Sequence, residues 1–195
     1  MGLYQKKDTR FVIVETAIRL FSESTVEDVP VSAICSKANV TRNAFYYYFQ
    51  TKNQLFDAIG DYITEEAKRR IDLSSDASSY RRIWEFYRPF LEYQIELGPD
   101  IMNHCCFSRT SKGHADFYSY VDARTAASLK LLIELAKANR EITTPADPES
   151  LVWASYAVVR GNNIKWCFQW GQSDLIGDCK ATLNTLFLPA EGVAL

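Results

Sequence analysis

Apolar residues recur at three- and four-residue spacing along almost the whole chain, which is the signature of amphipathic helices. Val12, Ile13, Ala17, Leu20 and Phe21 form one such stripe and predict a first helix over 9–23. A second helix is expected to open at Pro30, where a missing N–H costs nothing, with Val31, Ile34 and Cys35 inward. It closes at Ala38-Asn39-Val40, and Asn39 suits a left-handed stop because Asn tolerates positive φ better than other non-glycines. Thr41 then caps a short third helix, Arg42 to Phe49. Thr51-Lys52-Asn53-Gln54 reads as a capping box that opens a fourth helix reaching about Ile71.

The small-residue run from Leu73 to Ser79 separates this unit from the rest. Beyond it the pattern predicts helices over Tyr80–Leu97 with Pro89 inside as a kink, about Asp100–Arg109, and Ala115–Asn139. Asp147-Pro148-Glu149 is a cap, a first-turn proline and a first-turn acid, so an eighth helix runs from there to Trp170, stopped by Gly171. Ser173 is expected to cap a ninth helix that ends near Leu188-Pro189, leaving 190–195 as a tail. No alternating run flanked by a turn dipeptide reads as a hairpin. The fold class is therefore all-α, with about nine helices.

Composition narrows the functional classes. The 195 residues carry a net charge of −2, with 47% hydrophobic and 24% charged residues, ordinary values for a globular protein. No apolar run approaches the roughly 18 residues of a membrane helix. Met1 to Arg10 lacks an apolar signal segment, so the expected compartment is the cytoplasm and no membrane partner is expected. Five cysteines at irregular spacing without a CxxC imply neither a disulfide framework nor a zinc site. His104 beside Cys105-Cys106 invites a redox or metal reading, but adjacent helical residues point about 100° apart. Cys167 and Cys179 read as small core residues. With two histidines and no nucleophile–base grouping, the chain does not read as an enzyme and no cofactor or metal is expected.

Charge is informative in its distribution. No Asp or Glu occurs from Val29 to Phe56, while Lys37, Arg42 and Lys52 do, and Lys6, Lys7 and Arg10 add positive charge upstream. A short helix, a tight turn and a second short helix make a helix-turn-helix. In the second helix Phe45 and Phe49, four apart, must face inward, leaving Arg42, Asn43, Tyr46 and Tyr47 outward. Guanidinium, amide and phenol groups on one exposed face suit the major groove of double-stranded DNA. Lys52, at the start of the next helix, is a candidate phosphate contact.

Residues 9–60 resemble the DNA-binding domain of the TetR family of transcriptional regulators. The resemblance rests on Ile13, Ala17, Leu20-Phe21, Val31 to Cys35, Ala38-Asn39-Val40-Thr41-Arg42, and Phe45-Tyr46-Tyr47-Tyr48-Phe49 followed by Lys52 and Leu55. It departs from the family where Asn39 and Asn43 replace glycine and where Val29-Pro30 replaces a Ser/Thr cap, with Ser32 as a substitute. The resemblance implies DNA contacts at Thr41, Arg42, Asn43, Tyr46, Tyr47, Tyr48 and Lys52. It implies a DNA-binding domain over 1–71, linked by the fourth helix (52–71), and an effector-binding and dimerisation domain over 72–195. It also implies a homodimer through helices 8 and 9 on a palindromic operator, and a small-molecule effector.

Aromatics supply 13% of the chain, and all four tryptophans lie after residue 80. Trp84, Tyr87, Met102, Phe107, Phe117, Tyr120, Trp153 and Tyr156 are candidates to line a pocket for an apolar or aromatic effector, and any of them also fits a filled core. Asn162 and Asn163, in an otherwise apolar helix, are the candidate polar anchors. The function these features predict is a DNA-binding transcriptional regulator, a repressor released by an effector. The alternative is a DNA-binding regulator whose helical body binds a protein.

Overall fold

The computed structural model describes residues 8–70, 77–110 (backbone alone for 107–110), 123–193 and 195. These form nine helices: α1 (Thr9–Glu23), α2 (Val31–Ala38), α3 (Arg42–Tyr48), α4 (Lys52–Arg70), α5 (Ser79–Leu97), α6 (Pro99–Thr110), α7 (Ala123–Ala138), α8 (Pro148–Phe168) and α9 (Leu175–Phe187). The all-helical class and the N-terminal helix-turn-helix are as the pattern predicts.

Local chemistry sets the boundaries. Asp8 caps α1 by accepting from the Arg10 amide at 3.1 Å, and Asp147 caps α8 by accepting from Ser150 at 2.9 Å, with Pro148 in the first turn. Asn39 ends α2 in the left-handed region (φ 54, ψ 46), as its side chain allows. Pro30 is the N-cap of α2 and not its first residue; it offers no side-chain acceptor. Phe49 is the C-cap of α3. The ninth helix corrects the expected cap: Asp174, not Ser173, accepts from Gly177 at 2.9 Å. The carboxylate competes better than a hydroxyl for amides at the positive end of a helix. The predicted start of the seventh helix at Ala115 lies outside the described residues.

The first four helices wrap a small core of Ile13, Ala17, Phe21, Ile34, Phe45, Phe49, Leu55, Phe56 and Ile59. Phe21 stacks on Phe56 at 5.5 Å and Phe45 meets Phe49 at 5.7 Å. This core is continuous with the one beneath α5 to α9. α4 carries the continuity, packing on both α5 and α6. At its end Arg70 lies over the Tyr93 ring (4.3 Å) and pairs with Glu96 at 3.1 Å. The segment 71–76, where the sequence places the domain boundary, is outside the described residues.

In the body, α8 and α9 pack against each other, and α5 and α7 close over them. Pro89 sits buried inside α5, where it contributes no N–H to the helical ladder. The segment after α9 is pinned, not a loose tail. Leu188 turns left-handed (φ 50), its carbonyl accepts from Thr143 N at 2.9 Å, and Ala190 N donates to Glu141 O at 2.9 Å. Tyr80 ties the same corner by donating its hydroxyl to Asn184 at 2.7 Å and its amide to Glu141 at 2.7 Å.

Burial, the largest cause in each case, holds the phenols of Tyr80, Tyr87 and Tyr93 protonated well above their ordinary range and pushes the Cys179 thiol up to about 12. In the unfolded chain these groups ionise near their ordinary values, about 8.5 for a thiol and 10 for a phenol. Above those values the unfolded state has shed protons that the folded state keeps, so stability present at neutral pH is lost as pH rises. Thermal midpoints measured from pH 7 to 11 are expected to stay level to about pH 8.5 and then fall. A midpoint level to pH 11 would show that these hydroxyls and thiols reach solvent.

Candidate nucleic-acid interface

α3 is a short helix with two different faces. Its N-cap is Thr41, whose hydroxyl accepts from the Ala44 amide at 3.1 Å and so fixes where the helix begins. Phe45 and Phe49 are fully buried, which fixes its rotation. The opposite face is left to solvent. Arg42 and Asn43 are exposed, Tyr46 is 48% exposed and Tyr47 81%. An 81% exposed tyrosine contributes almost nothing to the core, so packing does not account for it. Tyr46 stands edge-on to Phe45 (5.4 Å), which braces a ring that is still half exposed.

The other candidates divide. Ser32 is exposed on α2, as is Lys37. Tyr48 is half-buried, packed on the core and edge-on to Tyr47 at 5.0 Å, so it supports its neighbour's ring more than it faces outward. Arg10, also exposed, lies over Phe49 at 5.5 Å, which keeps its charge beside α3.

Lys52 is a correction. The sequence reading gave its ammonium to a phosphate; the structure turns it inward. Nζ donates to Val26 O at 2.5 Å and to Val29 O at 3.0 Å, and it sits over the Phe21 ring at 5.5 Å. Desolvation there lowers its pKa, against the opposing pull of Glu27 and Asp100. The residue thus ties the loop between α1 and α2 to the start of α4. The Thr51 box also differs in detail. Thr51 accepts from Gln54 N at 3.2 Å, but the Gln54 side chain reaches back to Gln50 N at 2.8 Å.

In the body, Tyr87 and Tyr156 meet edge to face at 5.5 Å, and Trp153 leans on Tyr156 at 6.4 Å. The Tyr87 hydroxyl shares a hydrogen bond with Ser155 at 2.8 Å. Asn163 is buried; its amide nitrogen donates to Gln94 and its oxygen faces the Cys106 thiol at 3.6 Å. Met102 is buried on the neighbouring stretch of α6. Trp84, buried one turn before Tyr87 on α5, faces Lys180 of α9, whose ammonium lies 5.0 Å from its ring. Asn162 is directed to α9, where it donates to Thr182 at 2.8 Å. The Phe107 side chain, Phe117 and Tyr120 lie outside the described residues. All five thiols are buried, and Cys167 is pushed far up by its hydrogen bond with Cys106 and by burial, which keeps it a protonated thiol. Among the described residues no group of His, Cys, Asp or Glu is placed to hold a metal ion, and no helix is long and apolar enough to cross a membrane.

Residues 13–59 match the family described as bacterial regulatory proteins, tetR family. The helix-turn-helix unit of this chain is similar to that of the TetR family. The TetR match spans α1 to α3 and the first part of α4, the unit that holds the exposed face of α3. The chain is 43% identical over 49 residues to the probable acrEF/envCD operon repressor of Escherichia coli, which is 25% of this chain and 22% of that protein. It is 26% identical over 195 residues to the transcriptional regulator TtgR of Pseudomonas putida, covering 93% of this chain and 90% of TtgR. Among solved structures, Thermus thermophilus FadR, a TetR family repressor in complex with lauroyl-CoA, superposes with a TM-score of 0.60 at 18% identity, over 91% of this chain and 92% of that one. That likeness is one of fold. In the shorter and more identical matches, the chain spans about a quarter of the relatives' own length.

Removing the Lys52 ammonium leaves two loop carbonyls without their charged donor, a loss of about 2 kcal/mol for hydrogen bonds of this kind. For a chain of this size that is a fall in melting temperature of roughly 4–8 °C. Lys52→Met is expected to show that fall by calorimetry and to leave the salt dependence of DNA binding unchanged. A flattened salt dependence with unchanged melting would return Lys52 to a phosphate.

Proposed function

We propose that the chain is a sequence-specific DNA-binding transcriptional repressor, acting as a homodimer on a palindromic operator in the cytoplasm and released by a small apolar or aromatic effector. The observation that carries the reading is the outward face of α3, where Arg42, Asn43, Tyr46 and Tyr47 stand clear of the core on a helix whose start and rotation are both fixed. A helix of this width fits the major groove. There Arg forks to guanine, Asn to adenine, and Tyr reaches a phosphate or a thymine methyl. Thr41 and Ser32 are the candidate backbone contacts, with Tyr48 bracing Tyr47. Arg10 and Lys37 add charge that a phosphate backbone attracts. The family's regulatory role and the repressor relatives support the same assignment.

The DNA-binding unit in this reading is 1–71 and the regulatory body 72–195. For the dimer, α8 offers Ala157, Gly161, Ile164 and Phe168 at successive turns of one face. A Cβ added at Gly161 would meet nothing within 4 Å, and Phe168 and Trp170 are each 64% exposed. Large exposed apolar groups of this kind mark an interface, and a twofold axis through α8 and α9 would set two copies of α3 along one operator. For the effector, Trp84, Tyr87, Met102, Trp153, Tyr156 and Asn163 are the candidate contacts. The buried Tyr87–Ser155 and Asn163–Gln94 pairs supply neutral hydrogen-bonding groups among the rings.

Selection from a library of random-sequence duplexes is expected to yield a palindrome, and Tyr46→Ala or Arg42→Ala to weaken binding to it at least tenfold with the helical circular dichroism unchanged. Arg42→Ala also lowers the slope of log K against log salt by about one if it contacts a phosphate, or relaxes base preference at one position if it reads a base. Full affinity in both variants would remove α3 from the site. Gly161→Glu is expected to convert the dimer to a monomer in sedimentation; a dimer that survives it would move the interface off α8.

A further inference from the structure

The loop between α1 and α2 is held by one peptide residue from two sides. The Val26 amide donates to Asp100 Oδ2 at 2.8 Å, across 74 residues of sequence, and the Val26 carbonyl accepts from Lys52 Nζ at 2.5 Å. Asp100 belongs to the first turn of α6 in the body, and Lys52 to the first turn of α4. Val26 is itself 1% exposed, so neither of its polar groups has ready access to water as a replacement partner. Asp100 is braced in turn. His104, one turn along α6, approaches its carboxylate at 3.4 Å, donates from Nδ1 to the Asp100 carbonyl at 2.9 Å, and stacks on Phe56 of α4 at 5.0 Å. Phe56 continues the stack to Phe21 at the end of α1. Three elements of the helix-turn-helix unit therefore meet the start of α6 at one joint.

The other end of the described part of α6 reaches the buried core of the body. Cys106 faces Asn163, and Asn103 donates to the Cys167 carbonyl at 3.5 Å. From Asp100 to Cys106 is six residues, about 9 Å of rigid helix. The same stretch of helix thus holds both the Val26 amide and the α8 contacts of Asn103 and Cys106.

We propose that Asp100 is the positioning residue that fixes the orientation of the α1–α3 unit on the body, by holding the Val26 amide. The proposal rests on the DNA-binding reading for its consequence, but the orientation is measurable without DNA. A carboxylate in the first turn also favours the helix it starts, so a simple loss of stability would not distinguish the two roles. Asp100→Asn retains an acceptor oxygen and a good helix-starting side chain. Asp100→Ser starts a helix equally well but is too short to span to Val26.

The test is the distance between nitroxides on Asn43→Cys of α3 and Glu134→Cys of α7, both exposed positions, measured by pulsed electron resonance in otherwise full-length protein. The parent and Asp100→Asn are expected to give the same narrow distance distribution, with components within one protomer and between the two protomers of the proposed dimer. Asp100→Ala and Asp100→Ser are expected to broaden it or add a second population displaced by several ångströms, and hydrogen exchange at the Val26 amide is expected to speed up at least tenfold. If Asp100→Ala does not fold, Asp100→Ser carries the same reading. Distributions as narrow as the parent's in the folded variants would overturn the proposal. With the duplex chosen by selection, Asp100→Ala is expected to bind about tenfold more weakly and Asp100→Asn to recover. If the parent binds no duplex while the distances still broaden, the DNA-binding reading fails and the positioning role of Asp100 stands.

Discussion

Burial of Phe45 and Phe49 sets the rotation of α3, and most of what the N-terminal unit offers to a partner follows from that constraint. Two rings four residues apart claim the inner face of a seven-residue helix. Each contributes roughly 1.5–3 kcal/mol by leaving water, far more than any contact the exposed ring of Tyr47 makes at home. The same rotation puts Arg42, Asn43, Tyr46 and Tyr47 on the outside, and the Thr41 cap stops the helix from sliding. The exposed face is thus a by-product of core packing, set by the fold alone. A preformed probe of this kind loses little conformational entropy on binding.

A rigid probe is useful only if its orientation on the body is also defined. The Val26 joint supplies that definition with a carboxylate from α6 and an ammonium from α4, while the Phe21, Phe56 and His104 rings fill the space between them. The body behind the joint has a different character. Two of its buried polar pairs are neutral, Tyr87 with Ser155 and Asn163 with Gln94. α6 touches both regions, ending one set of contacts about 9 Å from the other.

Much of this was legible in the chain itself, wherever the decisive physics is local. The limits of α1, the left-handed Asn39, the Thr41 cap and the Asp147-Pro148 start of α8 all depend on residues within four positions of each other. The outward face of α3 was legible for the same reason. Where two neighbours could serve, as with Ser173 and Asp174, spacing could not choose between them; the charge of Asp174 did. Lys52 was misread because its partners lie 23 and 26 residues away, and Asp100 went unnoticed because its partner lies 74 away. Periodicity carries no signal for such contacts. Asn162 and Asn163 looked equivalent in sequence, yet a rotation of about 100° sends one to α9 and the other into the core.

The central claim is that a single exposed helix face meets nucleotide edges while the body's core stays closed. Amide hydrogen exchange of the full chain, with and without the selected duplex, tests it most directly. The account predicts slowed exchange concentrated in 41–49 and the start of α2, with little change at the buried amides of α5 and α8. Protection that falls on α7 or α9 instead, with 41–49 exchanging as freely as in the unbound chain, would contradict it.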